Sequence, residues 1–228
     1  MNEATPDTPA APLHDINAQI ASAANIARRE PSDITLIAVS KTRSAEEITP
    51  LLAAGHRVFG ENRVQEAETK WLALRAEFSD VRLHLIGQLQ SNKADEAVAL
   101  FDAIHSLDRP SLAAALGKAM RAQDKKVPCF IQVNIGDEPQ KGGCPVADLT
   151  ALLDAAHAED IPVAGLMCLP PAGIEPAPFF ALLAELAARH GLSGLSMGMS
   201  DDFVTAIMLG ATHIRVGTAL FGERASAV

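Results

Sequence analysis

The sequence predicts an α/β fold, a single (β/α)8 barrel of the TIM type. Three observations carry that prediction. Eight short apolar runs rich in β-branched residues alternate with helical segments. The 228 residues match the length of one such barrel. No linker or shift in composition interrupts the series.

Residues 1–12, rich in Pro, Ala and Thr and without periodicity, read as a disordered tail, leaving 13–228 as the domain. Ile16, Ile20, Ala23, Ala24 and Ala27 then recur at helical spacing over 13–29. ITLIAVSK (34–41) has the β-branched character of a buried parallel strand. Ser44 and Glu47 form a capping box opening a helix that ends near Gly55. Further strands are predicted at 57–60, 82–87, 103–107, 129–134, 163–169, 195–198 and 214–220. Each but the last is followed by a helix, for example at 64–78, 111–123, 146–157, 178–190 and 202–209. Little chain follows Leu220, so the N-terminal helix is expected to complete the outer ring. An open doubly wound sheet is the rival that strand counting alone leaves standing.

Composition narrows the function. With 28 acidic against 19 basic residues and a formal charge of −9, the chain lacks the basic stripe of a nucleic-acid binder. No apolar run of about 18 residues is present to span a membrane. The start has no secretory pattern, and three cysteines without a CxxC pair suggest neither a disulfide framework nor a zinc site. A cytoplasmic protein is expected.

In such a barrel, chemistry lies at the carboxyl ends of the strands. The first strand ends in Lys41, on the face shared by Ile37 and Val39. A lysine closing an apolar stripe is either a Schiff-base amine of lowered pKa or a snorkelling side chain. After the seventh strand, Gly198 offers bare backbone. Ser200 precedes a helix beginning at 201 or 202, as its N-cap, as a phosphate ligand or as both. On the eighth, Arg215 and Gly217 share a face, and Gly217-Thr218 supplies backbone and a hydroxyl. An aldehyde-reactive lysine facing a phosphate nest built by the last two loops points to pyridoxal 5′-phosphate.

Six motifs then carry a resemblance: AVSK (38–41), FGENRVQE (59–66), HLIGQLQSNK (84–93), GLMCLPP (165–171), LSMGMSDD (195–202) and RVGTALFG (215–222). Together they resemble the pyridoxal phosphate homeostasis protein family, whose fold is similar to the N-terminal barrel of alanine racemase. The resemblance covers nearly everything beyond the tail. It implies that Lys41 holds the cofactor as a Schiff base and that Arg215 faces the pyridine nitrogen. It also implies that Ser200, Gly217 and Thr218 bind the phosphate, with Asn62 beside the ring. One departure is Gln140 in EPQKGG (138–143), where the family often has Ser before Lys. His84, on a face shared with Ile86, reads either as a group touching the ring or as a satisfied core histidine. Met197, Met199, Cys168 and the Asp201-Asp202 pair read as packing or helix-start residues rather than catalysts.

Two functions compete: a racemase or lyase working through a single lysine base, and a carrier that buffers the cofactor without substantial turnover. Racemases of the related fold pair the lysine with a tyrosine from a second domain. This sequence contains no Tyr, and no such domain is expected. A guanidinium at the ring nitrogen only donates, so that nitrogen stays unprotonated and the ring is a weak electron sink. The carrier reading is therefore preferred, with pyridoxal-phosphate-dependent apoenzymes as possible recipients and a monomer as the expected state.

Overall fold

A computed structural model describes residues 11–222. Among them, eight parallel strands close into a barrel in sequential order, β1 pairing with β8. The strands are β1 (Thr35–Val39), β2 (Val58–Glu61), β3 (Arg82–Leu85), β4 (Ala103–Leu107), β5 (Cys129–Val133), β6 (Val163–Cys168), β7 (Gly194–Ser196) and β8 (His213–Val216). Closure excludes the open-sheet rival.

Helix α1 (Ala11–Ile26) precedes β1. After the strands follow α2 (Ala45–Ala53), α3 (Val64–Glu77), α4 (Ala94–Leu100), α5 (Pro110–Gln123), α6 (Leu149–Ala158), α7 (Ala177–Arg189) and α8 (Phe203–Met208). The predicted capping box opens α2: Glu47 N–H donates to Ser44 Oγ at 3.3 Å and Ser44 N–H to Glu47 Oε2 at 2.7 Å. Helix α1 packs against α8 and completes the ring, and Arg29 Nη1, just past its end, donates to Ala211 O at 2.7 Å.

Two expectations need correction. Ala11 and Pro12 belong to α1, since proline is tolerated in a first helical turn; residues 1–10 of the expected tail lie outside the described residues. The eighth strand stops at Val216, and Thr218–Phe221 forms a single helical turn, α9. Gly217, at φ −119° and ψ −73°, turns the chain out of the strand. Burying Leu220 against the core then stabilises the turn.

Apolar side chains fill the space between sheet and helices, with Trp71, Phe59, Phe101 and Phe180 fully buried. The barrel interior is different. Register pairs Ile37 with Arg215, Gly60 with His84, His84 with Ala103, and Met167 with both Gln132 and Ser196. Neighbours in register share a face, so polar groups enter the interior among the apolar ones.

Candidate cofactor site

Lys41 stands two residues beyond the end of β1, in a turn rather than in the strand. Alternation along β1 buries Ile37 completely and brings Val39 to the cavity below the lysine. The turn is tight, with Thr42 at φ 62°, a left-handed conformation disfavoured for a residue with a Cβ. Its N–H donates to Glu66 Oε1 at 2.5 Å, while Lys70 Nζ donates to the Ser40 carbonyl at 2.7 Å. Burial pushes the Glu66 carboxyl up, but the bonds from Thr42 and Lys70 outweigh it and hold it below its usual range.

Asn62 occupies the loop after β2, against the loop after β3. A Cβ at Gly87 would lie 2.3 Å from the Asn62 carbonyl oxygen and 2.7 Å from its Cα. Any larger residue there would displace the Asn62 loop.

Ser200 lies between β7 and α8, but Asp202, not Ser200, is the residue capping α8. Asp202 Oδ1 reaches back to accept Met199 N–H at 2.5 Å. The Ser200 hydroxyl instead meets the loop after β8, accepting long bonds from Gly217 N–H and Ala219 N–H, both 3.4 Å. Gly198, expected to offer bare backbone to a ligand, is not among the residues that line the cavity. Its φ of 92° and its tight approach to α8, where a Cβ would lie 2.6 Å from Ala206 Cβ, explain the glycine.

Arg215 rises from β8 with only 4% of its surface exposed. Nη1 donates to Ser196 Oγ at 2.7 Å and Nη2 to the Cys168 carbonyl at 2.9 Å. Burial lowers its pKa, opposed by Cys168 and Asp202. Beneath it, Ser196 Oγ lies 2.8 Å from His105 Nδ1, and His105 Nε2 lies 3.0 Å from His84 Nδ1. His84 therefore points into the barrel below the rim and is held by another histidine.

Lys41, Asn62, Ser200, Arg215, Gly217 and Thr218 all line one cavity of about 320 Å³ at the carboxyl ends of the strands. Val39, Ile86, Leu169, Met199 and Asp201 complete its wall. Of these, Val39 was legible by alternation with Ile37, and Ile86 by alternation with His84. Met199 is 41% exposed beside the cavity and is not the packing residue expected; Met197 is. Cys168 is buried, its thiol pushed up to about 12 by burial and its carbonyl given to Arg215. The loop holding Gln140 is tied down, with Lys141 Nζ donating to Pro170 O at 2.8 Å and Gln140 Nε2 to Glu138 Oε1 at 3.0 Å.

The donor set fits a phosphorylated aldehyde. An amine, the Ser200 and Thr218 residues with Gly217 beside them, and a guanidinium line a space of small-ligand size. Neither φ nor crowding requires glycine at 217, because a Cβ would meet only Val39 atoms at 3.4 Å or beyond. Bare backbone there leaves room beside the cavity. Among the described residues, no group of three or more His, Cys, Asp or Glu is placed to hold a metal ion.

Residues 13–225 match the family model of the alanine racemase N-terminal domain. The pyridoxal phosphate homeostasis protein of Pseudomonas aeruginosa is 42% identical over 217 residues, covering 92% of this chain and 93% of that protein. The chain belongs to the pyridoxal phosphate homeostasis protein family. The Escherichia coli member is 37% identical over 224 residues, covering 93% of this chain and 95% of that one. Among solved structures, PipY of Synechococcus elongatus with PLP bound superposes with a TM-score of 0.79 at 40% identity. It covers 89% of this chain and all of that one. An alanine racemase from Clostridium difficile aligns with a TM-score of 0.68 at 12% identity, over 93% of this chain and 57% of that one. That likeness is one of fold.

Proposed function

We propose that this chain binds pyridoxal 5′-phosphate at the barrel rim and carries or buffers it in the cytoplasm, without substantial turnover of its own. One observation supports this above the others: Lys41 and the Ser200–Gly217–Thr218 group face the same cavity, in a family whose member PipY is seen with PLP bound. Pyridoxal phosphate supplies an aldehyde that condenses with a lysine amine, releasing one water, and a ring able to delocalise negative charge.

Each side chain has a part in this reading. Lys41 is the attachment point. Ser200, Thr218 and the backbone at Gly217 receive the phosphate, and Asn62 lies beside the ring. Arg215, fixed by Ser196 and the Cys168 carbonyl, offers only donors toward the ring nitrogen. It thus keeps that nitrogen an acceptor and withholds the pyridinium that lyases and transaminases exploit. Cys129, Cys144 and Cys168 are free and buried, which suits a reducing compartment. We read the protein as a monomer that releases its cofactor to pyridoxal-phosphate-dependent apoenzymes.

An absorbance spectrum with and without borohydride, followed by mass mapping, tests the attachment. The expected adduct is on Lys41 alone and is absent in Lys41→Ala. An adduct on Lys93 or Lys141 instead would overturn the assignment.

A further inference from the structure

We propose that Glu66 and Lys70, one turn apart on α3, are positioning residues for Lys41, clamping the peptide groups on either side of it so that its amine is presented to the cavity. The inference rests on the reading of Lys41 as the attachment point and adds the device that holds it there.

The geometry is specific to the two flanking residues. Thr42, directly after Lys41, holds φ 62°, and its N–H donates to Glu66 Oε1 at 2.5 Å. Ser40, directly before it, gives its carbonyl oxygen to Lys70 Nζ at 2.7 Å. Lys70 also donates to Glu66 Oε1 at 3.1 Å, joining the two arms of the clamp. Behind them lies Glu61, whose side chain is fully buried. Its Oε1 accepts from Lys70 Nζ at 2.9 Å, Ser40 Oγ at 2.7 Å and Trp71 Nε1 at 2.9 Å.

Neither Glu66 nor Lys70 lines the cavity, so any effect on ligand must pass through Lys41. Stability alone does not account for such a cluster. Lys70 and Glu61 are largely withdrawn from water, and charges so placed gain little over a well-packed apolar substitute, because desolvation offsets their attraction. What the charges add here is direction. A left-handed Thr42 relaxes toward ordinary backbone unless something holds its N–H, and relaxation would swing Lys41 away from the line set by β1.

Two ligands separate positioning from mere support. Pyridoxal 5′-phosphate has the aldehyde; pyridoxine 5′-phosphate has the same ring and phosphate with an alcohol in its place, and cannot condense with an amine. With the full chain, Glu66→Ala and Lys70→Met should each weaken pyridoxal phosphate about tenfold, the scale of one hydrogen bond to a charged group. Borohydride fixation on Lys41 should slow in parallel, while pyridoxine phosphate affinity holds within about twofold. Glu66→Gln retains a carbonyl for Thr42 N–H and should restore most of the loss. If Lys70→Met does not fold, Lys70→Gln, a shorter neutral donor, should show the same selective loss. Equal losses for both ligands, or no loss for either, would overturn the clamp. A different result marks failure of the underlying reading: unsubstituted protein binding both ligands equally, with no adduct on Lys41.

Discussion

Arg215 and Ser196 meet across 2.7 Å inside the barrel, guanidinium to hydroxyl, and this contact orders a chain of groups beneath the cavity. A guanidinium can only donate, so Ser196 Oγ accepts from it and has its own proton free for His105 Nδ1, 2.8 Å away. With Ser196 donating in this way, a neutral His105 carries its proton on Nε2, facing His84 Nδ1 at 3.0 Å. In that arrangement every donor in the series points away from Arg215. The histidines must be neutral for this polarity to hold, and their burial makes them so.

Acid should therefore weaken the fold through these histidines. Burial first, then repulsion from His213 and Arg82, pushes His84 from 6.5 down to about 3. Burial, then Arg215, pushes His213 down to about 4, and His105 is lowered well below its ordinary value by burial and by His84, His213 and Arg215. Below pH 6.5 the unfolded chain takes up protons that the folded barrel refuses. Stability is thus full above pH 6.5 and lost as pH falls toward the folded values, by up to about 1.4 kcal/mol per pH unit for each histidine. Urea midpoints taken between about pH 7.5 and about pH 5 should fall, and fall less in His213→Asn. A slope unchanged by that substitution would place the acid sensitivity elsewhere.

Phosphate affinity should depend on the loops after β7 and β8 together. Ser200→Ala combined with Thr218→Ala removes two hydroxyls, each worth on the order of 1–3 kcal/mol against a charged oxygen. Equilibrium dialysis should show pyridoxal phosphate binding strongly weakened and unphosphorylated pyridoxal nearly unchanged. Equal weakening would mean that these hydroxyls support the barrel instead.

Gly198→Ala should damage both stability and the site. The new Cβ would sit at φ 92° and within 2.6 Å of Ala206 Cβ and 3.0 Å of Phe203 Cα. A cost of about 1–3 kcal/mol is expected, read as a lower urea midpoint. Relief of the clash moves α8 and the Ser200 loop, so phosphate affinity should fall with it. A variant as stable as the parent would show that the loop yields freely.

Turnover should be nearly absent. The sequence has no Tyr to serve as a second base, and a guanidinium at the ring nitrogen, the place proposed for Arg215, would leave that nitrogen unprotonated. With L- or D-alanine, serine or threonine in heavy water, deuterium uptake at the α-carbon should match that of free cofactor. Enzyme-like exchange that vanishes in Lys41→Ala would reinstate a single-base racemase.

Alternation and length made the barrel legible, since apolar strand runs and amphipathic helices carry their periods locally. The end of β8 was not. TALF (218–221) is apolar enough to extend a strand, and only the turn at Gly217 and the burial of Leu220 make it a helical turn. Of the two readings of Ser200, the cap fails for a similar reason: a serine ahead of a helix looks like a cap, yet Asp202 holds that position and the Ser200 hydroxyl turns toward Gly217 and Ala219.

By itself the sequence determined the strand and helix order, the capping box at Ser44 and Glu47, and six of the eleven residues that line the cavity. Those signals are local: a period, a spacing or a contiguous motif. Tertiary structure alone decided which distant groups meet. His105 reaches Ser196 across 91 positions and Lys70 reaches Ser40 across 30, because barrel closure and the return of α3 bring them together. A charge on a helix reads in sequence as a solvated face. Only the placement of α3 beside the turn after β1 makes Lys70 and Glu66 a pair that grips the backbone on either side of Lys41.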